Sequence, residues 1–294
     1  WDDSGNLVYN EDIFVAMDNL LAIANKHGVR IQIPFIDRNG WWGGIAHFAE
    51  HYGKTSPEFF TDDATIAGFK EMISYVLNRV NTVTGVTYKD DPAVFAWETG
   101  NELRSDDLAA IEAWTADIAS HIKSIDSKHL VMDGREARST KAAGEETLRM
   151  SNAAMFNPNI DVVSNHYYMS GPSAFIDQDL ATVGGTKPFV VGEIGFGDLD
   201  VAAAIDTIIS EGATGLLVWS LRTHDIQGGF KDHADGNVHA YHWPGFDDNY
   251  AYNETNIVSN LWEMAYAIDG ETRPDIPAPA KAPVMLASGS NLDI

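Results

Sequence analysis

The stretch Val94-Phe95-Ala96-Trp97-Glu98-Thr99-Gly100-Asn101-Glu102 decides how this chain is read. Residues 94–98 form a short apolar run, as a buried strand does, and the run ends in a cluster of polar residues. The same design recurs along the chain. Further candidate strands lie at residues 30–36, 129–133, 161–166, 189–193 and 215–221. Amphipathic periodicity marks helices between them at 66–80, 108–122, 201–209 and 255–267. An earlier helix is expected at 12–26, where Ile13, Met17, Leu20, Leu21 and Ala24 share a face and Gly28 closes the end. Strands alternating with helices imply a parallel sheet covered by helices, in the α/β class.

Polar residues gather where these strands end. One strand runs into Asn165-His166-Tyr167-Tyr168, another into Gly192-Glu193-Ile194-Gly195, and the last into Trp219-Ser220-Leu221-Arg222. In a parallel barrel the C-terminal strand ends converge on one mouth, where active sites sit. Two carboxylates, a histidine, a tyrosine and a tryptophan are thereby expected at one pocket. Each has a plainer reading. Glu102 could cap the helix that follows it, Glu193 could be a buried carboxylate paired with a cation, and His166 could be a structural hydrogen-bonder. Their joint placement at successive strand ends favours a site.

Composition narrows the function classes. The 294 residues suit one large domain, and 45% hydrophobic content is that of a folded protein. A net charge of −24 argues against a nucleic-acid partner, because phosphate repels such a surface. The chain contains no cysteine, which excludes disulfides and thiolate metal sites. No run approaches the length of a membrane span.

With Asp91-Pro92-Ala93-Val94-Phe95-Ala96-Trp97-Glu98-Thr99-Gly100-Asn101-Glu102, His166-Tyr167-Tyr168, Gly192-Glu193-Ile194-Gly195 and Trp219 in view, the chain resembles glycoside hydrolase family 5 of clan A, most of all its β-mannanase-like members. The resemblance covers residues 1–267. It implies a (β/α)8 TIM barrel and a retaining endo-β-1,4-glycosidase acting on β-mannan by double displacement. Glu102 is then the acid/base and Glu193 the nucleophile, with carboxyl groups roughly 5 Å apart as retention requires. Asn101 would donate to the sugar 2-hydroxyl. His166 and Tyr168 would orient the glutamates, and Trp219 would lie beneath the sugar ring, while Tyr167 points the other way and packs. A β-1,4-glucanase or an exo-β-mannosidase is the alternative within the class. A non-catalytic carbohydrate-binding barrel is the alternative outside it, and the presence of both glutamates with His166 speaks against it.

Other aromatic residues suit a long cleft, since sugar C–H faces stack on indole. Trp41 and Trp42 follow the strand at 30–36, and Tyr241-His242-Trp243 lie in a long loop. Trp42, Trp243 and Arg222 are candidates for substrate contact, with His224 and His233 near them, whereas Trp114 and Trp262 read as core residues on helices. A rival motif, His47-Phe48-Ala49-Glu50-His51, would place two imidazoles on one helix face, as zinc peptidases do. It is short and has no evident third ligand, so neither metal nor cofactor is expected.

Only six strands are visible, and the family's arginine on the second barrel strand has no counterpart here. The expectation is a barrel that lacks strands one and two, a chain cut from a longer polypeptide, and poor folding alone. Residues 1–270 are assigned to the catalytic barrel. Residues 271–294, broken by Pro274, Pro277, Pro279 and Pro283, are assigned to a linker and the start of a following module. The expected protein is a secreted monomer whose partner is a β-linked polysaccharide, with no nucleic acid and no membrane.

Overall fold

Strand β2 (Val94–Glu98) is buried on both faces save for Phe95, as befits the middle of a parallel sheet. A computed structural model of the chain describes residues 1–2, 4–40, 43–135, 152–168, 172–194, 205, 208, 210, 212–220, 254–268 and 270–275. The chain divides into two compact units. The first holds residues 1–165 and 182–189, and the second holds 166–181 and 190–294.

In the first unit, β2 lies between β1 (Ile31–Pro34) and β3 (Leu130–Met132), all parallel. Ile33 stands opposite Trp97, and Glu98 lies between Pro34 and Met132. Pro34, which lacks an N–H, sits where a sheet tolerates it, on an edge strand. The pairing continues past the strand ends as single bridges, Asp37 with Asn101 and Leu103 with Arg135. A further bridge joins Met132 to Val162, just ahead of β4 (Val163–Tyr167).

Helix α1 (Glu11–His27) begins at Asn10, whose side chain accepts the Asp12 N–H, and ends at left-handed Gly28. Its buried face carries Asp18, a charge held by Arg79, Tyr88 and Thr82. Helix α2 (Gly44–His51) leads through a 3-10 turn at Ser56–Phe60 to α3 (Asp63–Asn78), capped by Asp62. Helix α4 (Leu108–Ile125) closes the unit's aromatic core, in which Trp114 packs on Phe59, Phe60 and Phe69. A short helix, α5 (Asn152–Phe156), precedes β4.

The second unit takes over at His166, within β4. Its sheet is ordered β4, β5 (Phe189–Ile194), β6 (Gly215–Val218), and β5 pairs in parallel with β6. Helix α6 (Pro172–Val183) starts in it, and α7 (Glu254–Ile268) packs Val258, Leu261 and Met264 with Ile205, Leu216 and Val218. The six strands are those read from the sequence, with ends displaced by up to three residues. Helix α6 has no counterpart in that reading. The strand expected at 215–221 stops at Val218, and Trp219 and Ser220 already form a turn. The helix expected at 201–209 and the linker assignment at 271–294 fall largely outside the described residues. No described helix is long and apolar enough to cross a membrane.

Candidate active site

The first unit builds the setting of Glu102. Beyond β2 the chain is clamped on both sides of this residue. The Asn101 N–H donates to Ile36 O at 2.6 Å, and Arg38 N–H donates to Asn101 O at 3.0 Å. On the other side, Leu103 N–H donates to Gly134 O at 3.0 Å. Glu102 sits between these anchors with φ +53°, a left-handed conformation that a side chain rarely adopts. Strain of this kind persists where its surroundings over-determine it, and it gathers at functional sites. The approach of the two strand ends is close enough to exclude a side chain at Gly134, where a Cβ would lie 1.5 Å from Gly100 O.

These anchors also orient the side chains. Asp37 Oδ2 accepts a hydrogen bond from Asn101 Nδ2 at 2.9 Å, which sets the direction of that amide. The Glu102 side chain is 14% exposed, far from a solvated surface group. Its Oε2 lies 3.3 Å from Asn39 Nδ2, which donates to it, and 3.8 Å from Arg38 Nη2. The helix that follows is capped by Asp107, whose carboxylate accepts the Ala110 N–H at 3.0 Å, so Glu102 has no capping duty.

The second unit builds the setting of Glu193. The pairing of β5 with β6 slips between Val191 and Ile194, at Gly192-Glu193, an irregularity of the kind that re-aims a side chain. Tyr168, one residue beyond β4, donates its hydroxyl hydrogen to Glu193 Oε2. Nδ1 of His166 stands 3.5 Å from the same oxygen. Tyr167 alternates to the opposite face, where it is fully buried and donates to Asp179 Oδ2 at 2.5 Å. Trp219 follows β6, and its N–H donates to Ile194 O at 2.9 Å, beside Glu193 in the chain. The peptide from Trp219 to Ser220 is cis.

Of the residues singled out in the sequence, Asn101 and Glu102 thus share one setting in the first unit. His166, Tyr168, Glu193 and the backbone of Trp219 share one in the second. Trp41, Trp42, Arg222, His224, His233 and Trp243 lie outside the described residues. Sequence reasoning passed over Asp37, Arg38 and Asn39. Their signal was their position, a charged run directly after a strand, and the two tryptophans beyond them drew the attention instead.

The rival histidine motif does form a helix, α2. His47 Nδ1 meets Gly43 O, and His51 stacks on Trp1 with ring centroids 4.0 Å apart. Among the described residues, no cluster of three metal-ligating groups includes either histidine.

Residues 47–182 match the family model described as GH family 5 β-mannosidase-like. A putative mannan endo-1,4-β-mannosidase 5 of Oryza sativa subsp. japonica is 37% identical over 168 residues, which is 54% of this chain and 34% of the relative. Mannan endo-1,4-β-mannosidase 1 of Arabidopsis thaliana is 31% identical over 201 residues, 64% of this chain and 48% of the relative. The chain therefore spans about a third to a half of the length of these curated relatives. The crystal structure of an endo-1,4-β-mannanase from Rhizomucor miehei superposes with a TM-score of 0.77 at 26% identity, covering 92% of this chain and 82% of that one. An endo-β-1,4-mannanase from Thermotoga petrophila superposes at 0.68 with 20% identity, over 86% and 61%, a likeness of fold. The fold class is accordingly the (β/α)8 TIM barrel, represented among the described residues by two three-stranded sheets. By motif, family model and fold, this chain is similar to the β-mannanase-like members of glycoside hydrolase family 5 over part of their length.

Proposed function

We propose that this chain carries the catalytic pair of a retaining endo-β-1,4-mannanase, with Glu102 as acid/base and Glu193 as nucleophile. In the first step the Glu102 acid gives its proton to the glycosidic oxygen as the bond from that oxygen to C1 breaks. A Glu193 carboxylate oxygen bonds to C1 in the same step. In the second step Glu102, now a carboxylate, takes a proton from water. The water oxygen bonds to C1, and the bond to Glu193 breaks. Both steps balance without metal or cofactor.

The observation that supports this reading most is the asymmetry of the two carboxyl settings. Glu193 receives a hydroxyl hydrogen from Tyr168 and faces His166, as suits a carboxylate that must stay ionised. Glu102 is held in a strained backbone, with Asn39 donating to its Oε2 and the Arg38 guanidinium nearby. Asn101, oriented by Asp37, is the proposed donor to the sugar 2-hydroxyl, and Trp219 the proposed platform under the ring. The named relatives favour β-mannan as substrate. On this reading the protein works outside the cell as a monomer, with residues 1–270 as the catalytic part and 271–294 as a linker into a following module.

The test is reducing-sugar release from mannan, glucomannan, cellulose and xylan, beside a Glu193→Ala control. The first-formed product is followed by NMR. Mannan cleavage to mixed oligosaccharides with β-configured ends, abolished in the variant, is the expected result. Inverted products would overturn the nucleophile assignment, and cleavage confined to cellulose or xylan would overturn the substrate.

A further inference from the structure

The loop after β1 is tied to the acid/base more tightly than connection alone requires. Asp37 O accepts the Ile45 N–H at 2.9 Å, so the loop is pinned to the start of α2. Asp37 Oδ1 accepts the Asn39 N–H at 2.5 Å, and its Oδ2 takes the Asn101 amide. Gly44 lets the backbone pass, since a Cβ there would stand 2.3 Å from Asn39 O. The result is a rigid turn that presents two side chains, Arg38 and Asn39, to a single oxygen of Glu102.

On the reaction proposed above, we propose that Arg38, assisted by Asn39, is a positioning residue for the acid/base, holding the Glu102 carboxyl through its Oε2. The chemistry follows from where charge develops. When the Glu102 proton passes to the glycosidic oxygen, the carboxyl becomes a carboxylate, and a guanidinium at 3.8 Å stabilises that charge in a partly dry setting. Asn39 contributes a hydrogen bond to the same oxygen. Arg38 therefore makes Glu102 a stronger acid for glycosylation and a weaker base for deglycosylation.

The other charged groups at issue are Asp37, one hydrogen bond removed through Asn101, and Glu193 and His166, which the proposed reaction places at the same bond. All three are constant across variants of Arg38. Differences between variants therefore report on Arg38 alone.

The experiment compares pH profiles of kcat/KM for the parent chain, Arg38→Gln, Arg38→Lys and Asn39→Asp. Two substrates are used, a β-1,4-mannan oligosaccharide and a dinitrophenyl β-mannoside whose leaving group needs no proton. For Arg38→Gln the alkaline limb should move up by about one pH unit, because an opposite charge within 4–6 Å is lost. Activity on the oligosaccharide should fall roughly tenfold as acid assistance weakens, while the activated substrate is spared. Arg38→Lys should keep the limb near its parent position, and Asn39→Asp should raise it without touching Arg38. An unmoved limb in folded variants, or equal losses on both substrates, would overturn the assignment. Glu102→Gln separates the two levels of inference. If it leaves the oligosaccharide activity intact, the proposed function fails. If it silences that activity while the Arg38 and Asn39 variants leave the limb unmoved, only the role of Arg38 fails.

Discussion

Tyr168 donates its phenolic hydrogen to Oε2 of Glu193, although the two residues are 25 positions apart and belong to neighbouring strand ends. His166 faces the same oxygen from two residues earlier. The alternation of a strand explains this pairing. Residues i and i+2 share a face, so His166 and Tyr168 reach Glu193 while Tyr167 turns into the core toward Asp179.

Tyr168→Phe removes this donor and keeps the ring. A hydrogen bond to a charged group is worth about 1.5–3 kcal/mol, so kcat/KM on mannan should fall by roughly 10- to 100-fold. Steady-state kinetics with an unchanged circular dichroism spectrum would establish it. Activity within about twofold of the parent would mean that the contact does not serve the nucleophile.

Asp18 is fully buried, and Arg79 binds it through Nε at 3.1 Å and Nη2 at 2.8 Å. Burial pushes the Asp18 carboxyl upward, but the bonds from Arg79, Tyr88 and Thr82 outweigh it and hold the group well below the usual carboxylate range. Arg79→Met should cost about 3–5 kcal/mol, because it strands a buried charge. The double variant with Asp18→Asn should recover part of that loss in urea unfolding. The folded value is depressed, so the stabilisation is present above about pH 4 and is lost as the pH falls below it.

Asp133 offers the opposite sign. It follows β3 directly, is buried, and lends its carbonyl oxygen to the Ser164 hydroxyl at 2.8 Å. Burial raises its carboxyl to about 6, with the charge of Arg135 offsetting only part of the effect. The folded state then holds a proton that the unfolded chain releases near pH 4, so stability falls as pH rises from about 4 to 6. Asp133→Asn removes this slope. The stability of the variant relative to the parent should increase by about 3 kcal/mol between pH 4 and pH 7. A difference that stays flat over this range would show that the carboxyl is not raised.

Gly134 tests the close packing that carries Glu102. A methyl group there collides with Gly100 O, a backbone atom that cannot swing away. Gly134→Ala should destabilise by about 3 kcal/mol, the upper end of overpacking, and lower activity further by displacing residues 101 and 102. Gly28→Ala is the contrasting case. It meets no atom within 4 Å but carries φ +71°, and should cost about 1–2 kcal/mol for backbone strain alone. Thermal unfolding of the two variants side by side would rank them.

Much of the architecture was legible in local pattern. Residues 94–98 were a strand because a short apolar run between polar ends has few other options, and Gly28 marks a helix end by capping chemistry that operates over a few residues. The reading failed where burial was uneven. Helix α6 alternates apolar residues with Asp177 and Asp179, and Asp179 is fully buried because Tyr167 donates to it, a partner twelve residues away that no periodicity reveals. Trp219 was expected on a strand, but its strand ends at Val218, where pairing with Ile194 stops.

By itself, the sequence determined which residues stand at strand ends, and so Glu102, Glu193, Asn101, His166, Tyr168 and Trp219 were candidates before any coordinates. Strand periodicity and polarity are local properties of the chain. What the tertiary structure alone decided is how each candidate is held. The left-handed turn at Glu102, the clamp of residues 101 and 103 between Asp37 and Arg135, and the approach of Arg38 and Asn39 to one carboxyl oxygen all join segments more than thirty residues apart. Such contacts arise from the register of parallel strands, whose partners are chosen by packing across the whole sheet rather than by their neighbours in sequence.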